Sequence, residues 1–131
     1  MVNNAKVNYV LGELESEVMN IIWQQKTAIS VKQVVIILQK RRKIAYTTVM
    51  TIMNRLVEKG LLKQENSDTK AFLYPPVYSK RQFLSKTARE IIKNVVSKFG
   101  DTAIAHFANE VDKIPIEKRK KLIKMLEEPE E

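Results

Sequence analysis

No cysteine occurs anywhere in the 131 residues, so disulfides, thiolate metal sites and cysteine nucleophiles are all excluded. Glycine is scarce as well, with three in the chain, and no phosphate-cradling glycine loop is present. Long apolar runs are missing. The longest strictly apolar stretch is Val34 to Leu38, far short of the roughly 18 residues of a membrane span, and the first residues carry no signal-peptide pattern. The expectation is a soluble, cytoplasmic protein with no membrane insertion. A single histidine, His106, has no second ligand-type residue at metal spacing and reads as packing. No nucleophile stands beside a base and no carboxylate pair marks a cleft. An enzyme is therefore not expected, nor a cofactor or a metal.

The formal charge of +8 is unevenly spread. Residues 1–25 carry −2, whereas residues 26–70 hold ten bases against three acids, and residues 71–131 add only +3. A basic block of this kind attracts a polyanion over roughly a Debye length, and nucleic acid is the usual one. A membrane surface would call for bulky apolar side chains beside the charges, and the polar face within this block has none.

Apolar periodicity places a first helix at Glu13–Gln25, with Leu14, Val18, Ile21 and Ile22 on one face and Trp23 as a core residue near its end. Glu13, Glu15 and Glu17 occupy its favoured acidic start. Ser30 and Gln33 form a capping box that opens a second helix running to about Arg41. Lys40 to Lys43 makes a basic turn into a third helix over Ala45–Lys59, stopped at Gly60. The period then changes to a hairpin: Leu61–Glu65, a polar loop Asn66–Lys70, and Ala71–Pro75. Three helices and a hairpin make a winged helix-turn-helix, assigned to residues 9–76.

Beyond Pro75 and Pro76, Ser79 caps a long helix to about Lys98 with a stripe that includes Phe83, Leu84, Ile91, Ile92, Val95 and Phe99. Gly100 breaks it. A short segment with Ile104 and Phe107 follows, and Pro115 starts a last helix with Leu122, Ile123 and Leu126 facing inward. Some 50 residues make a meagre core alone, so residues 77–128 are expected to bury this stripe against a second copy as a helical dimerisation region. The alternative is that they fold back on the winged unit. Residues 127–131 read as a solvated acidic tail. The fold class is thus mainly α with a small β-hairpin wing.

The third helix carries the functional signal. At about 100° per residue, Val49, Ile52, Met53 and Leu56 share one side, while Thr47, Thr51, Asn54 and Glu58 lie opposite, flanked by Met50 and Arg55. An ordinary solvated face would be charged. Short hydroxyl and amide groups let a helix approach closely and bond base edges, and threonine or methionine can meet a thymine methyl. Thr47, Thr48, Met50, Thr51, Asn54 and Arg55 are therefore expected to read the major groove of double-stranded DNA, with Lys43 and Lys70 on phosphates. A homodimer would present two such helices to a palindromic operator. The rival reading is a protein-assembly module whose basic surface meets an acidic partner, for which an uncharged threonine face is not particularly needed.

The series Leu11-Gly12-Glu13-Leu14-Glu15-Ser16-Glu17-Val18 through Trp23, the stretch Ala45-Tyr46-Thr47-Thr48-Val49-Met50-Thr51 with Asn54-Arg55-Leu56, and Lys59-Gly60-Leu61 resemble the penicillinase repressor family, of the BlaI/MecI/CopY type. The resemblance spans essentially the whole chain. It implies a bacterial repressor whose winged helix, Ala45 and Tyr46 included, binds an operator and whose C-terminal helices dimerise. Two departures stand out. Copper-responsive members use a cysteine-rich metal site, excluded here. In β-lactam-responsive members a protease triggered by a membrane sensor cuts an Asn-Phe bond, and His106-Phe107 occupies the corresponding place. The candidate release site is thus His106-Phe107, cut by a protease of different specificity, unless release from DNA takes another route.

Overall fold

The computed structural model describes residues 11–127. Positions 9 and 10 of the expected first domain, and residues 128–131 of the expected tail, lie outside them. Six helices and one hairpin follow in order: α1 (Glu13–Gln24), α2 (Val31–Gln39), α3 (Tyr46–Glu58), β1 (Glu65–Asn66), β2 (Phe72–Leu73), α4 (Lys80–Phe99), α5 (Asp101–Asp112) and α6 (Ile116–Glu127). The chain divides between Thr87 and Ala88 into two compact units.

In the first unit, α1, α2 and α3 each turn one apolar stripe inward. Val18, Met19, Ile21 and Ile22 of α1 meet Val34, Val35 and Leu38 of α2 and Val49, Ile52, Met53 and Leu56 of α3 in one buried cluster. Burying each such side chain favours folding by about 1.5–3 kcal/mol. Local chemistry fixes the helix ends. Ser30 Oγ accepts from the Gln33 N–H while the Gln33 side chain accepts from the Ser30 N–H, the reciprocal cap expected from sequence. At the end of α3, Gly60 adopts φ 81°, and the Leu61 N–H returns to the Leu56 carbonyl at 2.9 Å. Only glycine takes that left-handed geometry without strain. The turn delivers Leu61 and Leu62 into the core, both nearly inaccessible.

The wing is shorter than the pattern predicts. Its antiparallel register pairs Glu65 with Leu73 and Asn66 with Phe72, so the loop is residues 67–71. Towards the base the pairing becomes irregular, because the second limb serves two neighbours: the Lys63 N–H bonds the Pro75 carbonyl, while the Tyr74 N–H bonds Ile29 in the α1–α2 connection. Hydroxyls lace the tip. Ser67 Oγ donates to the Ala71 carbonyl at 2.6 Å and accepts from the Thr69 N–H.

Phe83 requires a correction. Expected in the dimerisation stripe, it is 5% exposed and belongs to the core of the first unit, its ring 5.3 Å from that of Trp23. Trp23 is itself half-buried, with Nε1 donating to the Tyr78 carbonyl at 2.9 Å. The opening turns of α4 are thereby tied to α1.

Glu15, near the start of α1, is almost wholly buried and takes two hydrogen bonds from Lys59 Nζ, at 2.9 and 2.8 Å, and one from the Gly12 N–H. Burial pushes its carboxyl up, but the Lys59 hydrogen bonds, the Gly12 amide and the charges of Lys59 and Arg55 outweigh it and hold the group below its ordinary value. A depressed folded value means that the stabilisation is complete above the ordinary 4.5 and is lost as pH falls through the folded value. Glu15→Gln is expected to cost about 1–3 kcal/mol at neutral pH and to flatten the acid limb of the stability profile. Urea melts between pH 7 and pH 3 check this, and an unchanged acid limb would remove the pair as its cause.

Candidate nucleic-acid interface

The polar side of α3 is left open by the packing of its apolar side. With Val49, Met53 and Leu56 inaccessible in the core, Thr47, Thr48, Thr51, Asn54 and Arg55 all stand exposed. Tyr46 and Met50 are partly exposed on the edge nearer the wing, and Thr48 and Arg55 mark the other edge. Ala45 supplies no side-chain cap to the first turn of α3, and Lys43 is exposed just before it. The Thr51 hydroxyl is committed: Oγ1 donates to the Thr47 carbonyl at 2.9 Å. Its methyl group and its oxygen lone pairs are what Thr51 offers outward. Glu58 closes the same face at the C-terminal end, where its charge opposes phosphate.

The basic turn is only partly available. Arg42, one of the four cations in Lys40–Lys43, lies 2.7 Å from Glu17 and 3.8 Å from Glu13 of α1. Sequence periodicity assigns those glutamates to a helix start and gives no sign of the cross-link. Lys40, Arg41, Lys43 and Ile44 instead border a shallow concavity together with Gln39 and Arg42.

Between α3 and the wing runs a cleft of about 420 Å³. Tyr46, Met50 and Asn54, one turn apart, form one wall; Lys70, Ala71 and Phe72 form the other; Ser30, Val31, Lys32, Gln64 and Tyr74 complete it. Gln64 Nε2 donates to Tyr74 Oη at 2.9 Å, fixing the floor. Lys32, Gln64 and Phe72 were not legible as site residues. Strand alternation would put Phe72 on the same face as Tyr74 and so inside. Tyr74 is buried and Phe72 exposed.

Residues 11–128 match the penicillinase repressor family. The chain belongs to the penicillinase repressor family. Among its relatives, the transcriptional regulator BlaI of Mycobacterium tuberculosis (strain ATCC 25618 / H37Rv) is 34% identical over 102 residues, 77% of this chain and 73% of that protein. The methicillin resistance regulatory protein MecI of Staphylococcus aureus (strain N315) is 28% identical over 104 residues, 79% of this chain and 83% of that protein. The penicillinase repressor of Staphylococcus aureus is 27% identical over 94 residues, covering 72% and 73%. As a penicillinase repressor family member, the chain is a DNA-binding transcriptional repressor and not an enzyme.

In the second unit of this family member, no residue of α5 or α6 is buried. Ile91, Ile92, Ile104, Phe107, Leu122 and Ile123 are exposed there, Val95 is half-buried, and Phe99 and Leu126 reach 71% and 74% exposure, while Leu84, in the first unit, is exposed as well. His106 and Phe107 both lie exposed within α5. Proteolytic nicking favours exposed loop tips, and the 106–107 bond lies within a helix instead. No helix among the described residues is long and apolar enough to cross a membrane.

Proposed function

We propose that the protein represses transcription as a homodimer that occupies a two-fold symmetric operator, with the outer face of α3 in the major groove. The observation that carries this reading is the exposed, uncharged face of Thr47, Thr51 and Asn54, held rigid by a core immediately behind it. Asn54 is suited to bidentate bonding of adenine. Thr51, its hydroxyl proton spent within the helix, presents a methyl group suited to thymine. Lys43 and Lys70 take phosphates and fix the register without reading sequence.

The apolar stripe of the second unit supports the dimer. Single exposed apolar residues are ordinary, but so many on three successive helices, none of them buried in α5 or α6, call for a partner surface. A second copy satisfies it with closed symmetry, and spaces two α3 helices near one duplex turn, about 34–36 Å.

Selection of bound sequences from random-library DNA at two salt concentrations tests the proposal. The expected result is one enriched palindrome and a steep loss of affinity with salt. On that palindrome, Asn54→Ala should cost about 1–3 kcal/mol at one base pair. Thr51→Val should retain discrimination while Thr51→Ser loses it, because the methyl and not the hydroxyl makes the contact. Lys70→Ala should weaken all sequences alike and lower the salt slope by about one. Unchanged discrimination in the Asn54 and Thr51 variants would show that α3 is not the reading element.

A further inference from the structure

The passage from the wing into α4 is tied down residue by residue. The Pro75 carbonyl accepts from the Lys63 N–H, Pro76 bridges Leu62, the Val77 N–H donates to the Leu61 carbonyl at 3.0 Å, and the Tyr78 carbonyl accepts from Trp23 Nε1 at 2.9 Å. Ser79 and Gln82 then exchange bonds between their side chains and backbone amides, a capping box that starts α4 firmly. One turn on, Phe83 is buried against Trp23, and Lys86 Nζ lies 5.2 Å from the centre of the Tyr78 ring. No glycine- and serine-rich stretch of the kind that makes a flexible tether intervenes.

We infer that Trp23, Tyr78 and Phe83 are positioning residues that select the spacing between the two half-sites of the operator. This role rests on the reading of the protein as an operator-binding homodimer, and it adds a determinant of spacing that lies outside both the outer face of α3 and the exposed apolar stripe. α4 is one unbroken helix of 20 residues, about 30 Å long, and it also carries Ile91, Ile92 and Phe99 of the stripe assigned to the second copy. A tilt of about 10° in its opening turns moves its far end by about 5 Å. One base-pair step along the duplex is only about 3.4 Å. Fixing those turns against α1, which shares a core with α3, therefore holds each reading helix to one separation from its counterpart. A loose connection would let α3 search a range of separations, at a lower effective concentration at any one of them.

The test uses the full-length chain with Phe83→Ala and, separately, Trp23→Phe. The second variant keeps an apolar ring but removes the donor to Tyr78, so it decides the matter if the cavity left by Phe83→Ala prevents folding. Circular dichroism checks the fold and sedimentation equilibrium checks the dimer. The duplexes are the selected palindrome, the same half-sites moved apart or together by two base pairs, and a single half-site. A shift of two base pairs turns one half-site by about 70° around the duplex axis. Wild type should therefore lose about 10²-fold or more in affinity on the shifted duplexes, because the gain from the second half-site is forfeited. Phe83→Ala should lose about tenfold less on the same shift, with Trp23→Phe between the two, while all three proteins bind the single half-site equally.

Folded, dimeric variants that keep the full wild-type penalty overturn the spacing role and leave the operator reading standing, as does a wild type indifferent to spacing. Variants that lose affinity for the single half-site in the same proportion as for the palindrome overturn it too, since the residues then only support the reading unit. If the wild type enriches no palindrome, the operator reading falls and the spacing role falls with it.

Discussion

Phe99→Glu combined with Leu126→Glu is expected to leave the protein monomeric in sedimentation equilibrium and to weaken operator binding by about 10²–10⁴-fold. These are among the most exposed large apolar side chains of the described chain, so the substitutions create no cavity in the monomer. In the proposed dimer they bury two charges in apolar contact, which costs several kcal/mol per uncompensated ion. The loss in affinity has a separate origin. Two α3 helices joined through the C-terminal helices bind the second half-site at high effective concentration, and a monomer forfeits that gain without losing any contact in its own half-site. Affinity for a single half-site should therefore be unchanged. A double variant that remained dimeric would place the interface elsewhere, and one that was monomeric yet bound the whole operator normally would separate dimerisation from recognition.

The second large effect is on stability. Leu56→Ala, at an inaccessible position directly behind the outer face of α3, should lower the unfolding free energy of the first unit by about 2–5 kcal/mol. That is a large share of the roughly 5–15 kcal/mol that keeps a domain folded. Leu56 packs in the same cluster as Leu61 and Leu62, and its carbonyl accepts the Leu61 N–H that closes the α3 turn. The cavity should therefore loosen the junction of α3 with the wing. In urea the midpoint should fall with the slope unchanged, followed through Trp23. Loss of less than about 1 kcal/mol would mean that the site collapses around the smaller side chain, and that α3 moves to allow it.

The helices were legible because their signals are local. Ser30 and Gln33 cap α2 through neighbours three residues apart, Gly60 stops α3, and the stripes of α1 and α3 repeat every turn. What periodicity misjudged depends on distant partners. Phe83 fits the α4 stripe by spacing, yet its environment is set by Trp23, 60 positions earlier in the chain. Arg42 looks like one of four equivalent cations, yet Glu17 holds it. The shortened wing has the same cause, since the chain leaves the first limb just after β2, where the Tyr74 N–H bonds Ile29. Lys32 and Phe72 belong to elements 40 residues apart, and only folding brings them to one cleft.

By itself the sequence determined the class of the protein: no cysteine chemistry, a basic block around one helix, and a threonine and asparagine face opposite an apolar one. These follow from composition and from a period of 3.6 residues, both properties of neighbouring positions. Tertiary structure alone decided that Arg42 of the basic turn is held by α1, that Phe83 serves the first unit, and that a cleft opens between α3 and the wing. Each of these depends on charge pairs, hydrogen bonds or contacts fixed by the packed backbone, most of them between residues far apart in the chain.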